Sequence, residues 1–272
     1  MSLTIDSSTP AASQSANGVS VTSLASNTFS PPAGSVIVVF WGNGNTGTNP
    51  TSITDSLGSH LSWSSDTTAG STSTASAGMY WASCPSAQSN MTVTVNFAST
   101  QALYILPVVF TGEVSTSLGA TTTASPASGS TLTATVTPQA AGSYVFGVFC
   151  NGFSTASPTV PSGQTITVNG TSTFLSEATH GTSFWVQYQT ATTTGSSVTI
   201  NDTAPTGGGG IVLAEILAAV TTSRYLLGVP HRRGPLQARM RGFGVSVPPI
   251  SPVLPTNPGW APPIISPNST YF

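Results

Sequence analysis

The sequence predicts an all-β protein, an antiparallel β-sandwich (jelly-roll or Ig-like) built from two related halves and followed by an extended Pro-rich C-terminal arm. Three observations predict it. An apolar run occurs twice: Pro32-Ala33-Gly34-Ser35 leads into Val36–Trp41, and Ala140-Ala141-Gly142-Ser143 leads into Tyr144–Phe149. Each is a small-residue step followed by a strand apolar on both faces, which belongs in the middle of a covered sheet. Short segments elsewhere alternate apolar and polar residues at period two, between Gly, Pro and Asn turns. Matched segments also recur about 105 residues apart, as expected of an internal duplication.

Composition supports this class. Only 4% of the 272 residues are charged, against roughly 25% in an ordinary globular chain. Ser, Thr, Asn and Gly carry the polar share instead. Disorder normally couples low hydrophobicity to high net charge, whereas 38% of this chain is hydrophobic and its formal net charge is −2. Thr, Val, Ile and aromatics suit pleated, half-buried surfaces.

The charges are unevenly placed. There is no lysine, all five arginines lie beyond residue 220, and all seven carboxylates lie before it. An acidic body with a basic tail suggests a docking arm. Exposed sheet edges are often guarded by Lys, so these edges are expected to be covered by neighbours or by the chain's own loops. Cys84 and Cys150 make neither a disulfide framework nor a metal site. The start, Met-Ser-Leu-Thr-Ile-Asp, has no basic or long apolar region, so no signal peptide is expected, and no apolar run reaches membrane-spanning length. The sequons at Asn90, Asn169, Asn201 and Asn268 are read as chance in a Ser/Thr-rich chain.

In order, residues 1–18 read as a lead-in arm and first edge, with an Asn17-Gly18 turn, and Val19 to Phe29 as a weak strand. Pro31-Pro32 and the Ala-Gly step end it, and Val36–Trp41 is the central strand. Gly42–Gly47 reads as a loop, Ile53–Ser59 as a strand end and tight turn, Leu61–Trp63 as pairing back, 64–77 as a loop and Met79–Trp81 as a strand. Met91, Val93, Val95 and Phe97 share one face, and Leu103–Phe110 closes the half, with Pro107 marking a bulge or edge. The second half repeats the plan: Leu132, Ala134 and Val136 alternate with Thr, and Tyr144–Cys150 is central. Val198-Thr199-Ile200-Asn201 matches Val93-Thr94-Val95-Asn96, and Phe184-Trp185 matches Tyr80-Trp81. Ile211–Val220 has helical propensity, but its partner Leu103–Phe110 contains Pro and β-branched residues, so it reads as a strand. The units are 1–115 and 116–221, which form either two small sandwiches or one double-layered sandwich, and the arm 222–272.

The arm is basic and Gly-rich to residue 245, then Pro-rich with interleaved Val, Ile, Leu and aromatics. Such a stretch favours extended polyproline II, which loses less entropy when it docks. A free linker does not need those apolar residues. Arg224, Arg232, Arg233, Arg239, Arg241, Trp260, Tyr271 and Phe272 are therefore the candidate partner-docking residues. His231-Arg232-Arg233 could also touch nucleic acid, but with an acidic body a protein partner is preferred.

Chemical signals are weak. Gly42–Gly47 matches G-x-G-x-x-G after a strand, but Asn49-Pro50 follows where a phosphate-binding helix should start. Gly207–Gly210 lacks the Lys-Ser/Thr of a phosphate loop. No G-x-S-x-G elbow exists. His60 lies near Asp55, which could make a base and orienter, though with so many serines such proximity is cheap. No His or Cys pair has ligand spacing, and Glu113, Glu177 and Glu215 are too scattered to nominate a glycosidase pair. No catalytic residue, metal or cofactor is expected. Trp41, Trp63, Trp81 and Trp185 raise a carbohydrate-binding alternative, with Trp63 as the test position, against a core reading for Trp41, Trp81 and Trp185.

The opening Ser2-Leu3-Thr4-Ile5-Asp6-Ser7-Ser8-Thr9-Pro10, the Phe29–Ser35 step into an apolar strand, Ile53-Thr54-Asp55-Ser56-Leu57-Gly58 followed by Leu61-Ser62-Trp63, and Met91–Val95 before a closing apolar strand go together. Over roughly residues 1–220 they resemble the Ser/Thr-rich β-sandwich proteins of tailed bacteriophage particles, often described as minor tail or particle-surface proteins. The resemblance implies a virion structural protein, in a tail or decorating a capsid surface, made in the host cytoplasm and assembling with its own copies and with a capsid or tail subunit. It carries no catalytic residue over. A host-surface glycan is a further expected partner if the protein sits at the host-facing end. No membrane partner is expected.

Overall fold

The computed structural model describes residues 2–44, 48–72, 75–112, 114–202 and 208–218. The first half contains β1 (Thr4–Ile5), β2 (Ser13–Gln14), β3 (Val21–Ala25), β4 (Ser35–Gly44), β5 (Ser52–Asp55), β6 (Ser64–Thr72), β7 (Ala75–Cys84) and β8 (Val93–Thr111). The second contains β9 (Val114–Ala124), β10 (Thr133–Val136), β11 (Tyr144–Asn151), β12 (Thr167–Val168), β13 (Thr171–Ser172), β14 (Leu175–Glu177), β15 (Thr182–Thr190), β16 (Val198–Asn201) and β17 (Gly209–Ala218). Every pairing is antiparallel, and no helix occurs among the described residues.

Each half has one large sheet, in the order β1-β8-β4-β7-β6 in the first and β14-β15-β11-β17-β9 in the second. The two sheets share a core: Val36, Val38, Phe40, Tyr104, Leu106 and Phe110 from one side meet Phe146, Val148, Phe184, Val186, Val212 and Ile216 from the other. A second core lies on the opposite face of the first sheet, where Val93, Val95 and Phe97 cover Ile37, Val39, Trp41, Leu103 and Ile105. A third lies on the opposite face of the second sheet, where Ala134, Val136, Val198 and Ile200 cover Val145, Phe149, Trp185, Ile211 and Leu213. The chain thus forms four layers. The central strands are buried, β4 along its length and β11 from Val145 on, because each has a core on either side.

The halves are built by the same devices. Gly34 and Gly142 take positive φ (76° and 80°), the left-handed turn that a residue without Cβ adopts freely. The N–H of Gly34 donates to Cys84 C=O and that of Gly142 to Ala191 C=O, both at 2.8 Å. Val36 pairs with Phe110 and Ser83, and Tyr144 pairs with Ile216 and Thr190 in the corresponding register. Asn90 and Asn169 also have positive φ; they are turn residues of a type that tolerates that region.

Several boundaries differ from the sequence reading. Met91–Phe97 and Leu103–Phe110 do not form two strands. Val93–Thr111 is one strand bent at the exposed residues 98–100. Its first part pairs with β3 and β5, and its second with β4, β1 and β2. Pro107, expected at a bulge or edge, instead lies within β8 in unbroken register with Val39, between the short pairings of β8 with β1 and β2. Leu103 N–H donates to Ser15 Oγ and Val109 N–H to Thr9 Oγ1, so the nitrogen of Pro107, in the same alternation, points away from β4. The missing donor therefore costs the β4 ladder nothing. Residues 64–72 form the edge strand β6 rather than a loop, and β6 lies against β17 and β9. Residues 209–218 are a strand, as the match to Leu103–Phe110 requires.

The matched pairs Tyr80-Trp81 and Phe184-Trp185 are not equivalent. Trp81 pairs with Val38, whose counterpart Phe146 pairs with Tyr188. The counterpart of Trp185 is Gly78: Phe149 pairs with Trp185, and Trp41 pairs with Gly78. One fully buried indole sits in each outer core, but from opposite strands. Trp41 lies over Gly78, where an added Cβ would come within 2.4 Å of the ring. Trp185 stacks on Phe149 at 4.9 Å.

Candidate functional site

The eight docking residues, Arg224, Arg232, Arg233, Arg239, Arg241, Trp260, Tyr271 and Phe272, lie outside the described residues, with the rest of the arm. Within the body, the structure gathers functional-looking side chains where β5 ends.

β5 closes on Asp55, 6% exposed, and the chain then curls around that one carboxylate. Oδ1 accepts from Leu57 N–H (3.1 Å) and from His60 Nδ1 (2.9 Å). Oδ2 accepts from Leu61 N–H (3.0 Å) and from Trp63 Nε1 (2.9 Å). The Asp-Ser-Leu-Gly turn is thus an Asx turn whose carboxylate also holds His60, Leu61 and Trp63. Burial would raise the Asp55 carboxyl, but the imidazole, the indole and the two backbone donors outweigh it and hold it below the usual range. A carboxylate only accepts, so Nδ1 of His60 carries the hydrogen and Nε2 is left as the other nitrogen of an imidazole 65% exposed. Among the described residues no hydroxyl bonds to Nε2, so the pair is joined as the spacing suggested, without the serine of a triad.

Beside this turn is an open groove of about 530 Å³. His60, Leu61 and Ser62 form one wall and Ser64 opens β6. Trp81, Ser83 and Pro85 come from the end of β7. Trp81, expected in the core, is half-buried at the margin of the shared core and lines this groove. Trp63, the test position of the carbohydrate-binding alternative, is half-buried against the first-half outer core with its N–H held by Asp55. Sequence reasoning missed Trp81 because the false match to Trp185 placed it inside. The turn itself is where the sequence places it, since Ile53–Ser59 reads as a strand end and tight turn and β5 ends at Asp55.

The other carboxylates do similar work. Glu177, 1% exposed, accepts from the N–H groups of Gly18 (2.7 Å), Thr179 (3.0 Å) and His180 (2.7 Å), and from His180 Nδ1 (2.6 Å). It ties the Asn17-Gly18 turn of the first half to the second. Burial alone would raise its carboxyl, but these donors outweigh it and hold it at about 2. Glu215, fully buried, accepts from the N–H groups of Gln139 (2.8 Å), Ala140 (3.0 Å) and Ala120 (3.1 Å). Asp6 accepts from Ser8 N–H and Asp202 from Thr159 N–H. Glu177 and Glu215 each belong to a separate loop clamp, and Glu113 lies outside the described residues.

The glycine-rich strings also have structural explanations. β4 runs on through Gly44, so Gly42 and Gly44 are strand residues rather than loop residues. Both lie where the second half comes closest, against Phe184, Cys150 and Thr182. Gly209 and Gly210 open β17, and Gly207 lies outside the described residues. Cys84 and Cys150 are free and buried, and burial raises both thiols. Among the described residues no three of His, Cys, Asp and Glu converge on one point, and no helix is long and apolar enough to cross a membrane. In comparisons with known proteins, no family model, curated protein or solved structure matches this chain.

Proposed function

We propose that this chain is a structural component of a bacteriophage virion, a minor tail or capsid-surface protein that assembles through its β-sandwich body and its C-terminal arm. The observation that supports the reading is how the body uses its charges. Asp6, Asp55, Glu177, Asp202 and Glu215 each accept backbone N–H groups and close a turn or loop. Carboxylates used this way hold a scaffold in shape. The body has no lysine, so its strand edges lack the usual charge guard and suit contact with neighbouring subunits. In this reading the partners are further copies of the chain and a capsid or tail subunit, and Arg224, Arg232, Arg233, Arg239, Arg241, Trp260, Tyr271 and Phe272 make the contact.

Deletion of residues 222–272 tests it. The full-length chain is expected in purified phage particles, and the truncated chain is expected to keep the β-rich circular dichroism of the body while missing from particles. A full-length chain absent from particles, or a truncated chain incorporated equally well, overturns the proposal.

A further inference from the structure

We infer that the groove beside His60 is a binding site for an uncharged pyranose, as a free sugar or as a residue of a surface polysaccharide. A pyranose has C–H faces and a rim of hydroxyls, and it is recognised by a flat aromatic surface surrounded by donors and acceptors. The groove supplies that set. Trp81 contributes a half-buried indole. Ser62, Ser64 and Ser83 contribute hydroxyls that both donate and accept, and His60 contributes an imidazole. Leu61 and Pro85 complete an apolar border. Its volume of about 530 Å³ lies within the range of small-molecule sites.

The wall is set before a ligand arrives. Asp55 holds the Leu61 backbone, the His60 ring and, through its indole, Trp63. The His60 ring and the Leu61 backbone therefore have less freedom to lose when a ligand binds. Charge narrows the class further. Among the described residues no Lys, Arg, Asp or Glu lines the groove, and the Asp55 carboxylate lies directly behind His60. A carboxylate behind the wall disfavours acidic sugars. This inference stands apart from the virion reading, and its test does not depend on particle incorporation.

The test is saturation-transfer NMR on the purified full-length chain with glucose, galactose, mannose and N-acetylglucosamine, and with N-acetylneuraminic acid as the acidic control. At least one neutral sugar is expected to show saturation, strongest on the C–H protons of one face, with millimolar affinity. Trp81→Ala and Ser62→Trp are each expected to weaken it by about tenfold, one by removing the platform and the other by filling the groove. Ser62 is an exposed loop residue, so Ser62→Trp keeps the test sound if Trp81→Ala does not fold. Phe153→Ala, which removes a 49% exposed ring after β11, is expected to leave the signal intact. The inference is overturned if no neutral sugar is saturated, if the signal survives in the folded groove variants, or if the acidic sugar binds as well as the neutral ones.

Discussion

Gly42 of β4 lies against the ring of Phe184 in β15, so close that a Cβ on Gly42 would sit 2.7 Å from Phe184 Cδ2 and 3.2 Å from Cys150 Sγ. One turn of the pleat further, a Cβ on Gly44 would lie 2.3 Å from Thr182 Cγ2. Thr182 has little room to yield, because its Oγ1 is hydrogen-bonded to the Tyr104 hydroxyl at 2.7 Å and Tyr104 stacks on Phe184 at 5.5 Å. The two halves approach each other here through missing side chains.

Alanine at these glycines therefore overpacks the contact. Alanine normally favours a strand interior over glycine by about 0.5–1 kcal/mol, yet Gly42→Ala and Gly44→Ala are each expected to destabilise the body by about 1–3 kcal/mol. Urea unfolding measures the difference. An unchanged or raised midpoint would show that the halves do not meet as closely as described.

The indoles separate core from groove. Trp41→Ala and Trp185→Ala each empty an outer core and are expected to cost about 3–5 kcal/mol. Trp81→Ala removes a half-buried ring and is expected to cost less than half as much. Equal losses at all three positions in denaturant titrations would contradict the placement of Trp81 at a groove margin.

Glu177 gives stability a defined acid dependence. Its folded carboxyl sits at about 2, below the ordinary 4.5. A depressed folded value means that its contribution is present in full above pH 4.5 and is lost as pH falls from 4.5 toward 2. Thermal melts across that window should show stability falling with pH. In Glu177→Gln, stability at neutral pH should be lower and that part of the slope shallower. A slope unaltered by the substitution would mean other groups set the acid response.

Much of the fold was legible because period-two alternation and doubly apolar strands report burial directly. The repeated Ala-Gly-Ser step marked both central strands, and Gly34 and Gly142 take the same positive φ. The strand reading of Ile211–Val220 came from its match to Leu103–Phe110, which overrode helical propensity, and it holds for the described residues through Ala218. Boundaries were harder to read. A loop-like Gly-Asn-Gly and a Ser/Thr-rich edge strand carry no apolar pattern, and a bent strand has a polar break where the sequence suggests a turn. The candidate site was half legible: Asp55 and His60 were near in sequence and are bonded at 2.9 Å.

The sequence alone determined the class: all-β, antiparallel, in two related halves with doubly covered central strands, because local alternation and turn chemistry do not depend on distant partners. Only the tertiary structure decided which faces meet. It made the first two glycines of Gly42–Gly47 a packing contact, placed Trp41 opposite Gly78 where the other half uses Phe149 and Trp185, and brought Trp81 to the groove beside His60. These features depend on cross-strand register and on the approach of a second sheet. A one-residue shift in register turns every side chain to the other face, so they are properties of the pairing and not of any single stretch of chain.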